Sequence, residues 1–385
     1  MRSRQLSLFD NQRLRLDGAV EMSLDSLAEY GSRYRHWAVA CSGGKDSSAA
    51  VTLVAWAIKT GRVPTPESLT VLYADTRMEL PPLQKAAIQL LSTLRDDGFD
   101  ARVVLPELDR RFFVYMLGRG VPPPKNRFRW CTPMLKVEPM MAALQSLRDS
   151  TGEKILMLTG VRLGESHARD QRIALSCSRD SGECGQGWFQ VATKEAVADT
   201  LAPLVHWRLC HVYDWLYFDP LKHGYDVSGV ATVYGEKDIR TGCVGCNLVD
   251  KDTSLLWLLQ TSEWGHLRPL LRLKPLYREL KKPQWRKRKV EPEKRKDGRW
   301  SQNVQRMGPL TMAARKYGLD CILNIQAHAR VDLINAEEET RIREMWRLDV
   351  WPQKWSAADA DATLPVDALS LGGDGQIVTQ ALLIR

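Results

Sequence analysis

The stretch Trp37-Ala-Val-Ala-Cys-Ser-Gly-Gly-Lys-Asp-Ser-Ser48 limits the possible folds more than any other part of the 385-residue chain. Trp37 to Cys41 is an apolar run of strand length, and the alanine-rich, glycine-free run from Ser48 to Ile58 reads as a helix. The Gly-Gly turn between them leaves backbone N–H groups and the positive end of the helix dipole facing a sheet edge, with the Lys45 ammonium beside them. Such a junction favours an anion. An ordinary strand-to-helix turn needs one glycine and has no use for Gly-Gly-Lys-Asp-Ser.

The chain then alternates. Leu69 to Thr76 reads as a second strand ending in Asp75-Thr76, Leu83 to Leu94 as a helix, and Ala101 to Leu105 as a third strand. Lys154 to Leu158 is a fourth strand, followed by Thr159-Gly-Val-Arg162. This rhythm predicts an α/β fold: a doubly wound, mostly parallel sheet covered on both faces, with a helical basic region after it. Carboxyl ends of parallel strands face the ligand crevice, so Cys41, Asp75, Leu105 and Gly160 mark one edge. There the backbone of Ser42, Gly43, Gly44, Lys45, Asp46 and Ser47 would cradle phosphates, with Asp75, Thr76 and Gly160 alongside, and Arg162 would neutralise a second phosphate. Asp46 and Asp75 cannot hold phosphate directly and are the candidates for Mg²⁺. The competing reading of Arg162, Glu165 and Arg169 is a solvated helix face.

Arg110 to Thr132 breaks the alternation with Pro122-Pro-Pro124 and the basic-aromatic run Lys125-Asn-Arg-Phe-Arg-Trp-Cys131. A loop this long and aromatic reads as functional. The N-terminus has no hydrophobic signal core and no apolar run approaches a membrane span, so a cytoplasmic protein without membrane contact is expected. In that reducing setting the eight cysteines point to metal or thiol chemistry rather than disulfides. Cys243-Val-Gly-Cys246 can chelate one metal or one cluster edge but needs more thiolates. Cys177 and Cys184, in one glycine-rich loop, are the first candidates, and Cys131 is the rival. Cys41, Cys210 and Cys321 lie in apolar stretches and read as buried small side chains. All-thiolate ligation suits a [4Fe–4S] cluster or zinc, and a redox Cys-x-x-Cys is the other reading.

Lys and Arg outnumber Asp and Glu by 55 to 46, a formal charge of +9 that favours a polyanionic partner. From Asp250 the pattern turns helical and basic, densest between Arg278 and Arg299. Lys281, Lys282, Arg286, Lys287, Arg288 and Lys289, together with Arg127 and Arg129, are candidates for a DNA backbone, with Trp285 and Trp300 for stacking. A solvated charged surface is the alternative. The expected organisation is a flexible segment over 1–30, an α/β domain over 31–250, a helical basic region over 251–356 and a loosely ordered tail over 357–385.

Two resemblances add to this. Gln5-Leu-Ser-Leu-Phe9 resembles the peptide with which bacterial DNA-associated proteins dock on the replication sliding clamp, Leu6, Leu8 and Phe9 being the anchors; the alternative is an apolar anchor for the chain's own domain. Ser42-Gly-Gly-Lys-Asp-Ser47 resembles the PP-loop of ATP pyrophosphatases. With Ala74-Asp-Thr76, Leu117-Gly-Arg-Gly120, Arg127-Phe-Arg-Trp-Cys-Thr132, Thr159-Gly-Val-Arg162, Glu165-Ser166, Arg169, Gly242-Cys-Val-Gly-Cys246 and Gly308-Pro-Leu-Thr311, it resembles the phosphoadenosine-phosphosulfate-reductase-like branch of that superfamily. Within the branch it looks most like the DndC/SspD ATP pyrophosphatases of bacterial DNA phosphorothioation. That resemblance implies an adenine-nucleotide α-hydrolase-like fold, ATP as substrate and a [4Fe–4S] cluster. It further implies sulfur from a cysteine desulfurase, companion phosphorothioation proteins, a nucleoid setting and replacement of a non-bridging oxygen of a DNA phosphate.

Two departures qualify it. Residues 224–241 hold no cysteine, whereas the Dnd-type proteins carry additional ones there. Cys131 is followed by Thr132 where sulfonucleotide reductases have a second cysteine, which leaves Cys131 either a cluster ligand or a sulfur-carrying nucleophile. Sulfonucleotide reductases, the nearest alternative, lose the Lys-Asp of the loop and end in a cysteine-bearing tail; this chain has Lys45-Asp46 and ends in Ala381-Leu-Leu-Ile-Arg385. A tRNA-thiolating enzyme would add an RNA-binding or zinc-knuckle region, and a catalytically silent docking subunit would have no need of Lys45, Asp46 and Asp75 together.

Overall fold

The computed structural model describes residues 14–126, 128–165, 170–171, 182–183, 188–190, 196–234 and 241–381. Gln5 to Phe9, Arg127, Ser166, Arg169, Cys177 and Cys184 lie outside these. The chain divides into two compact units, Met1–Asp75 with Pro81–Val104 and Pro139–Thr241, and Thr76–Leu80 with Leu105–Glu138 and Gly242–Arg385. The division is interleaved rather than sequential: the polar loop expected inside the α/β domain belongs with the C-terminal half.

The first unit opens with α1 (Leu16–Gly31). From Leu16 on, the expected flexible lead-in is instead this helix, because Val20, Leu24 and Leu27 recur at helical spacing and are buried. The Trp207 indole donates to the Ala19 carbonyl (3.1 Å) and Ser23 (2.9 Å), and Tyr30 stacks on Phe189 at 4.6 Å. β1 (His36–Cys41) follows, then α2 (Lys45–Lys59), β2 (Ser68–Ala74), α3 (Pro81–Asp96), β3 (Asp100–Val104), α4 (Glu138–Thr151) and β4 (Ile155–Leu158). Next come β5 (Gly182–Glu183), β6 (Trp188–Gln190), β7 (Ala198–Ala202), α5 (Leu209–Lys222) and α6 (Ser228–Tyr234).

The strands form one sheet in the order β3-β2-β1-β4-β7-β6-β5. β3, β2, β1, β4 and β7 run parallel, and β6 and β5 add an antiparallel edge. The mixed α/β architecture with a mostly parallel sheet is therefore as expected; the antiparallel edge is not foreshadowed by the apolar pattern. β1 lies between β2 and β4, so the chain direction of strand addition reverses beside it, and crevices form at such switch points. α2 is buried on most of its faces through Ala49, Ala50, Val51, Leu53, Val54, Ala55 and Ala57, whose small side chains let the helix lie close on its neighbours.

In the second unit, π-helical turns at Val114–Gly118 and Pro133–Val137 flank the basic-aromatic loop. α7 (Thr253–Leu258), a 3₁₀ segment over Gly265–Arg272, α8 (Leu273–Glu279), α9 (Met312–Ala329) and α10 (Ala336–Arg347) make its helical part. Fully buried Arg315 joins them: its guanidinium donates to the carbonyls of Gly118 (3.0 Å), Val350 (3.0 Å) and Leu310 (3.3 Å) and lies 3.9 Å from the Trp351 ring centroid. Burial lowers its pKa to about 10.

The basic run is not one helix. β8 (Arg286–Arg288) and β9 (Met307–Leu310) pair antiparallel, and β10 (Ala360–Asp361) adds to β8. β11 (Ala368–Leu371) and β12 (Ile377–Gln380) form a hairpin, so the stretch expected to be a loose tail contains paired strands. Backbone pairing and acid–base contacts order it in spite of its small, polar composition. Among the described residues no helix is long and apolar enough to cross a membrane.

Candidate functional site

In the first unit the turn from β1 into α2 shapes the site. Gly43 has φ +70°, and a Cβ there would meet Ala87 and Tyr73 at 3.2 Å. Gly44 is the N-cap of α2 and makes no side-chain cap, so the helix meets an incoming ligand with its own first-turn amides. The loop is braced from within: the Ser47 hydroxyl accepts from Ser42 N–H (3.1 Å), contacts the Ser42 hydroxyl (3.1 Å) and donates to the Gly44 carbonyl (3.0 Å). Cys41, directly below, is buried, and burial pushes its thiol up to about 11; it is a packed strand residue.

Three charges meet over the helix start. Arg162 Nε lies 2.5 Å from one Asp46 oxygen and Lys45 Nζ 3.2 Å from the other, with both cations buried. Asp46 is an expected Mg²⁺ candidate; in the structure each of its oxygens is engaged by a cation, Lys45 or Arg162. Asp75, just past the end of β2, is buried, and one of its oxygens accepts from Gln84 (3.1 Å). Its backbone N–H donates to the carbonyl of Val104 (3.0 Å). Thr76 belongs to the other unit, where its hydroxyl donates to Glu79 (2.8 Å).

Gly160 follows β4 and lies against the loop, so a Cβ there would meet the Asp46 carbonyl oxygen at 2.5 Å and the Ser47 nitrogen at 2.8 Å. Neither atom can yield without moving the loop. Gly160→Ala is therefore expected to lower stability by about 1–3 kcal/mol, the usual cost of overpacking, and to weaken nucleotide binding. Paired thermal unfolding and nucleotide titration check this; unchanged values in both would contradict the packing described.

Sequence reasoning missed Tyr234, the last residue of α6. Its ring centroid lies 4.8 Å from Lys45 Nζ, and its hydroxyl accepts from the Lys45 backbone N–H (3.3 Å) and contacts Thr241. A cation over a tyrosine face is held in place without a second carboxylate. A lone tyrosine almost 190 residues away carries no local signal, so only the fold reveals it. The Thr159 hydroxyl, one residue before Gly160, is buried without a hydrogen-bond partner among the described residues. Glycines that admit no side chain, two buried cations and an orphaned hydroxyl fit a phosphate-bearing ligand.

The thiols gather in the second unit. Cys243 to Cys246 form a tight turn, with Cys246 N–H donating to the Cys243 carbonyl (3.0 Å) and Gly245 at φ +64°. A Cβ on Gly245 would come 2.7 Å from that of Leu273, and its N–H donates to Asp252 (3.1 Å), the N-cap of α7. Val244 N–H donates to the Met78 carbonyl at 2.7 Å.

Cys131 lies within electrostatic reach of this turn. Burial, then the neighbouring Cys246 thiolate, raises its pKa. Burial and then Glu79 push Cys243 up to about 12, while Lys136, which pairs with Glu79 at 3.6 Å, acts in the opposite sense. Tyr277 is buried beside Cys243 and Cys246, and its hydroxyl has no hydrogen-bond partner among the described residues. The thiol neighbour that the structure provides is thus Cys131; the first-ranked candidates, Cys177 and Cys184, lie outside the described residues. No group of three or more Cys, His, Asp or Glu reaches metal-ligating geometry among the described residues. Of the cysteines read as buried, Cys41 is, Cys321 is half-buried, and Cys210 is exposed because it lies on the outer face of α5.

Most of the expected DNA-binding cations are engaged internally. Arg286 donates to the Gly308 carbonyl (2.6 Å), and burial lowers its pKa to about 10. Lys287 pairs with Asp361 (2.9 Å), Lys289 with Asp359 (2.7 Å) and Lys282 with Glu279 (2.6 Å), while Arg288 donates to the Leu364 carbonyl (2.7 Å). Arg129 is exposed and Lys281 half-buried, and neither pairs with a carboxylate among the described residues.

Comparison with known proteins adds a domain-level match. The family model described as the phosphoadenosine phosphosulfate reductase domain matches residues 36–223, from β1 to just past α5. Among solved structures, a phosphoadenylyl-sulfate reductase from Candida auris in complex with phosphate is 11% identical, covering 62% of this chain and 97% of that one, with a TM-score of 0.34. The U34-tRNA thiolase NcsA from Methanococcus maripaludis, solved with its [4Fe-4S] cluster, is 11% identical, covering 86% of this chain and 79% of that one, with a TM-score of 0.29. Likenesses this remote support no conclusion. No curated protein matches the chain.

Proposed function

We propose that the chain is an ATP pyrophosphatase that activates a DNA backbone phosphate for replacement of one non-bridging oxygen by sulfur. The observation that carries the reading is the Lys45–Asp46–Arg162 constellation, its two cations buried, above the uncapped start of α2. It suits the triphosphate of ATP, because two oriented cations and helix amides stabilise charge that grows on the departing pyrophosphate. Asp75 would help to hold Mg²⁺, which when bound would offset that charge.

The steps balance. A non-bridging oxygen of the DNA phosphate attacks the α-phosphorus of ATP, the bond to the β-phosphate oxygen breaks, and pyrophosphate leaves with the electron pair. A cysteine desulfurase would supply sulfur as a persulfide, which a thiol reductant cleaves to hydrosulfide while itself becoming a disulfide; the hydrosulfide attacks the DNA phosphorus, the bond to the AMP oxygen breaks, AMP departs with the original oxygen, and one proton is released. Cys131, Cys243 and Cys246 would be the protein ligands of a [4Fe–4S] cluster, or of zinc in its place. Such a cluster, when bound, supplies a coordination site for sulfide. Half-buried thiols beside an orphaned Tyr277 hydroxyl fit such a group in donor chemistry.

Sulfonucleotide reduction is the second reading, favoured by the domain match over residues 36–223. Purified protein kept anaerobic, given ATP with and without DNA and, separately, a sulfonucleotide with a thiol reductant, separates the two. DNA-stimulated pyrophosphate release is the expected result. Sulfite without pyrophosphate would instead establish the reductase.

A further inference from the structure

Within the second unit one carbonyl ties together the thiol turn, the basic-aromatic loop and the end of α8. Pro124 O accepts from Asn247 Nδ2 (2.9 Å), one residue past Cys246, and from Lys281 Nζ (3.1 Å). Beyond Pro124 the chain makes a short hairpin in which Lys125 and Phe128 exchange backbone hydrogen bonds of 3.2 and 2.7 Å. Its base is fixed: Trp130 is buried, stacks on Phe112 at 5.2 Å and donates to the Pro122 carbonyl at 3.0 Å. Its tip is presented to solvent, with Lys125, Asn126 and Arg129 exposed and Phe128 41% exposed. The next residue after Trp130 is Cys131.

Charge accumulates here without compensation. Lys125, Arg278 and Arg286 all lie close enough to Lys281 to disfavour its protonated form, with burial the larger cause. Among the described residues Arg129 bonds only to Asn126, at 3.2 and 3.3 Å. Among the described residues Lys125, Arg129, Arg278 and Lys281 form no ion pair, in contrast to Lys282, Lys287 and Lys289. Like charges held together without counterions attract a polyanion, and an exposed ring among them offers a face to an unpaired base. In a duplex the bases are stacked and turned inward, so such a ring has nothing to meet.

We propose that Lys125, Phe128 and Arg129, with Lys281 and Arg278, form the docking surface for an unpaired nucleic-acid strand, and that it holds the backbone beside the Cys131–Cys243–Cys246 thiols. The internally engaged cations Lys287, Arg288 and Lys289 are outside this surface. The proposal rests on the reading of the chain as an enzyme that acts on a nucleic-acid phosphate, and it adds where the strand docks and that it is unpaired.

The test is fluorescence anisotropy of the full chain with a labelled 12-nucleotide DNA strand, the RNA strand of the same sequence and the DNA duplex, across a KCl series. The expected result is tighter binding of single strands than of duplex. Lys125→Glu should weaken single-strand binding about tenfold and reduce the slope of log K against log salt by about 0.7, one phosphate contact. Phe128→Ala should weaken single-strand binding about tenfold and leave the salt slope and duplex binding unchanged. Both side chains are exposed, so thermal unfolding of both variants should match the parent. Duplex binding as tight as single-strand binding, or single-strand binding untouched by both substitutions, overturns the surface. A preference for RNA supports the surface and contradicts the DNA acceptor, whereas absence of binding to every oligonucleotide contradicts both.

Discussion

Lys45→Ala is expected to slow pyrophosphate release from ATP by about 10²–10³-fold, the loss typical of removing one oriented group that stabilises transition-state charge. The side chain is buried, held against Tyr234 and tied to Asp46, so it is placed before the nucleotide arrives. Its removal leaves the Asp46 carboxylate paired with Arg162 alone and takes away the charge nearest the first helical amides. Because the missing stabilisation grows as the phosphate bond breaks, kcat should fall more than KM rises. Steady-state rates with Lys45→Ala and Tyr234→Phe, the latter keeping the ring, check this. A Lys45→Ala enzyme within a few-fold of the parent would mean that the loop binds nucleotide without acting on it.

Cys131→Ala is expected to abolish sulfur incorporation while pyrophosphate release stays within about twofold of the parent, since the group lost serves the second displacement and not the first. Cys131 and the Cys243–Cys246 turn influence one another's ionisation, and Cys131 is the thiol that brings the pair to three. Cys321→Ala is the control, as Cys321 bonds to Tyr317 and has no tie to the turn. Quantifying phosphorothioate and pyrophosphate in the same reaction separates the outcomes. Sulfur incorporation unchanged in Cys131→Ala would remove this thiol from the chemistry and return the role to the cysteines at 177 and 184.

How far these features can be read from the chain depends on how local their causes are. The β1–loop–α2 unit is legible because strand, Gly-Gly turn and helix are contiguous, and because apolar runs ending in Asp75 and Thr159-Gly160 mark the neighbouring strand ends. The dual engagement of Asp46 is not legible, since Arg162 reaches it from the segment after β4, 116 residues on. Nor is Tyr234, whose role depends on where α6 ends. α1 is hidden by its polar outer face, although Val20, Leu24 and Leu27 hold the helical period. The basic run misleads by composition: a count of Lys and Arg does not show that Asp359, Asp361 and the Gly308 and Leu364 carbonyls take up four of those side chains. Cys131 is separated from Cys243 by more than a hundred residues, so spacing favours the nearer Cys177–Cys184 loop and only the fold brings Cys131 to the turn.

The most direct measurement is mass spectrometry of nuclease-digested DNA for phosphorothioate dinucleotides, from cells carrying the parent chain or Lys45→Ala. Phosphorothioate linkages present with the parent and reduced to background with Lys45→Ala are the result expected if the loop activates a DNA phosphate. Equal levels in both, or none with the parent and its companion proteins present, would contradict it.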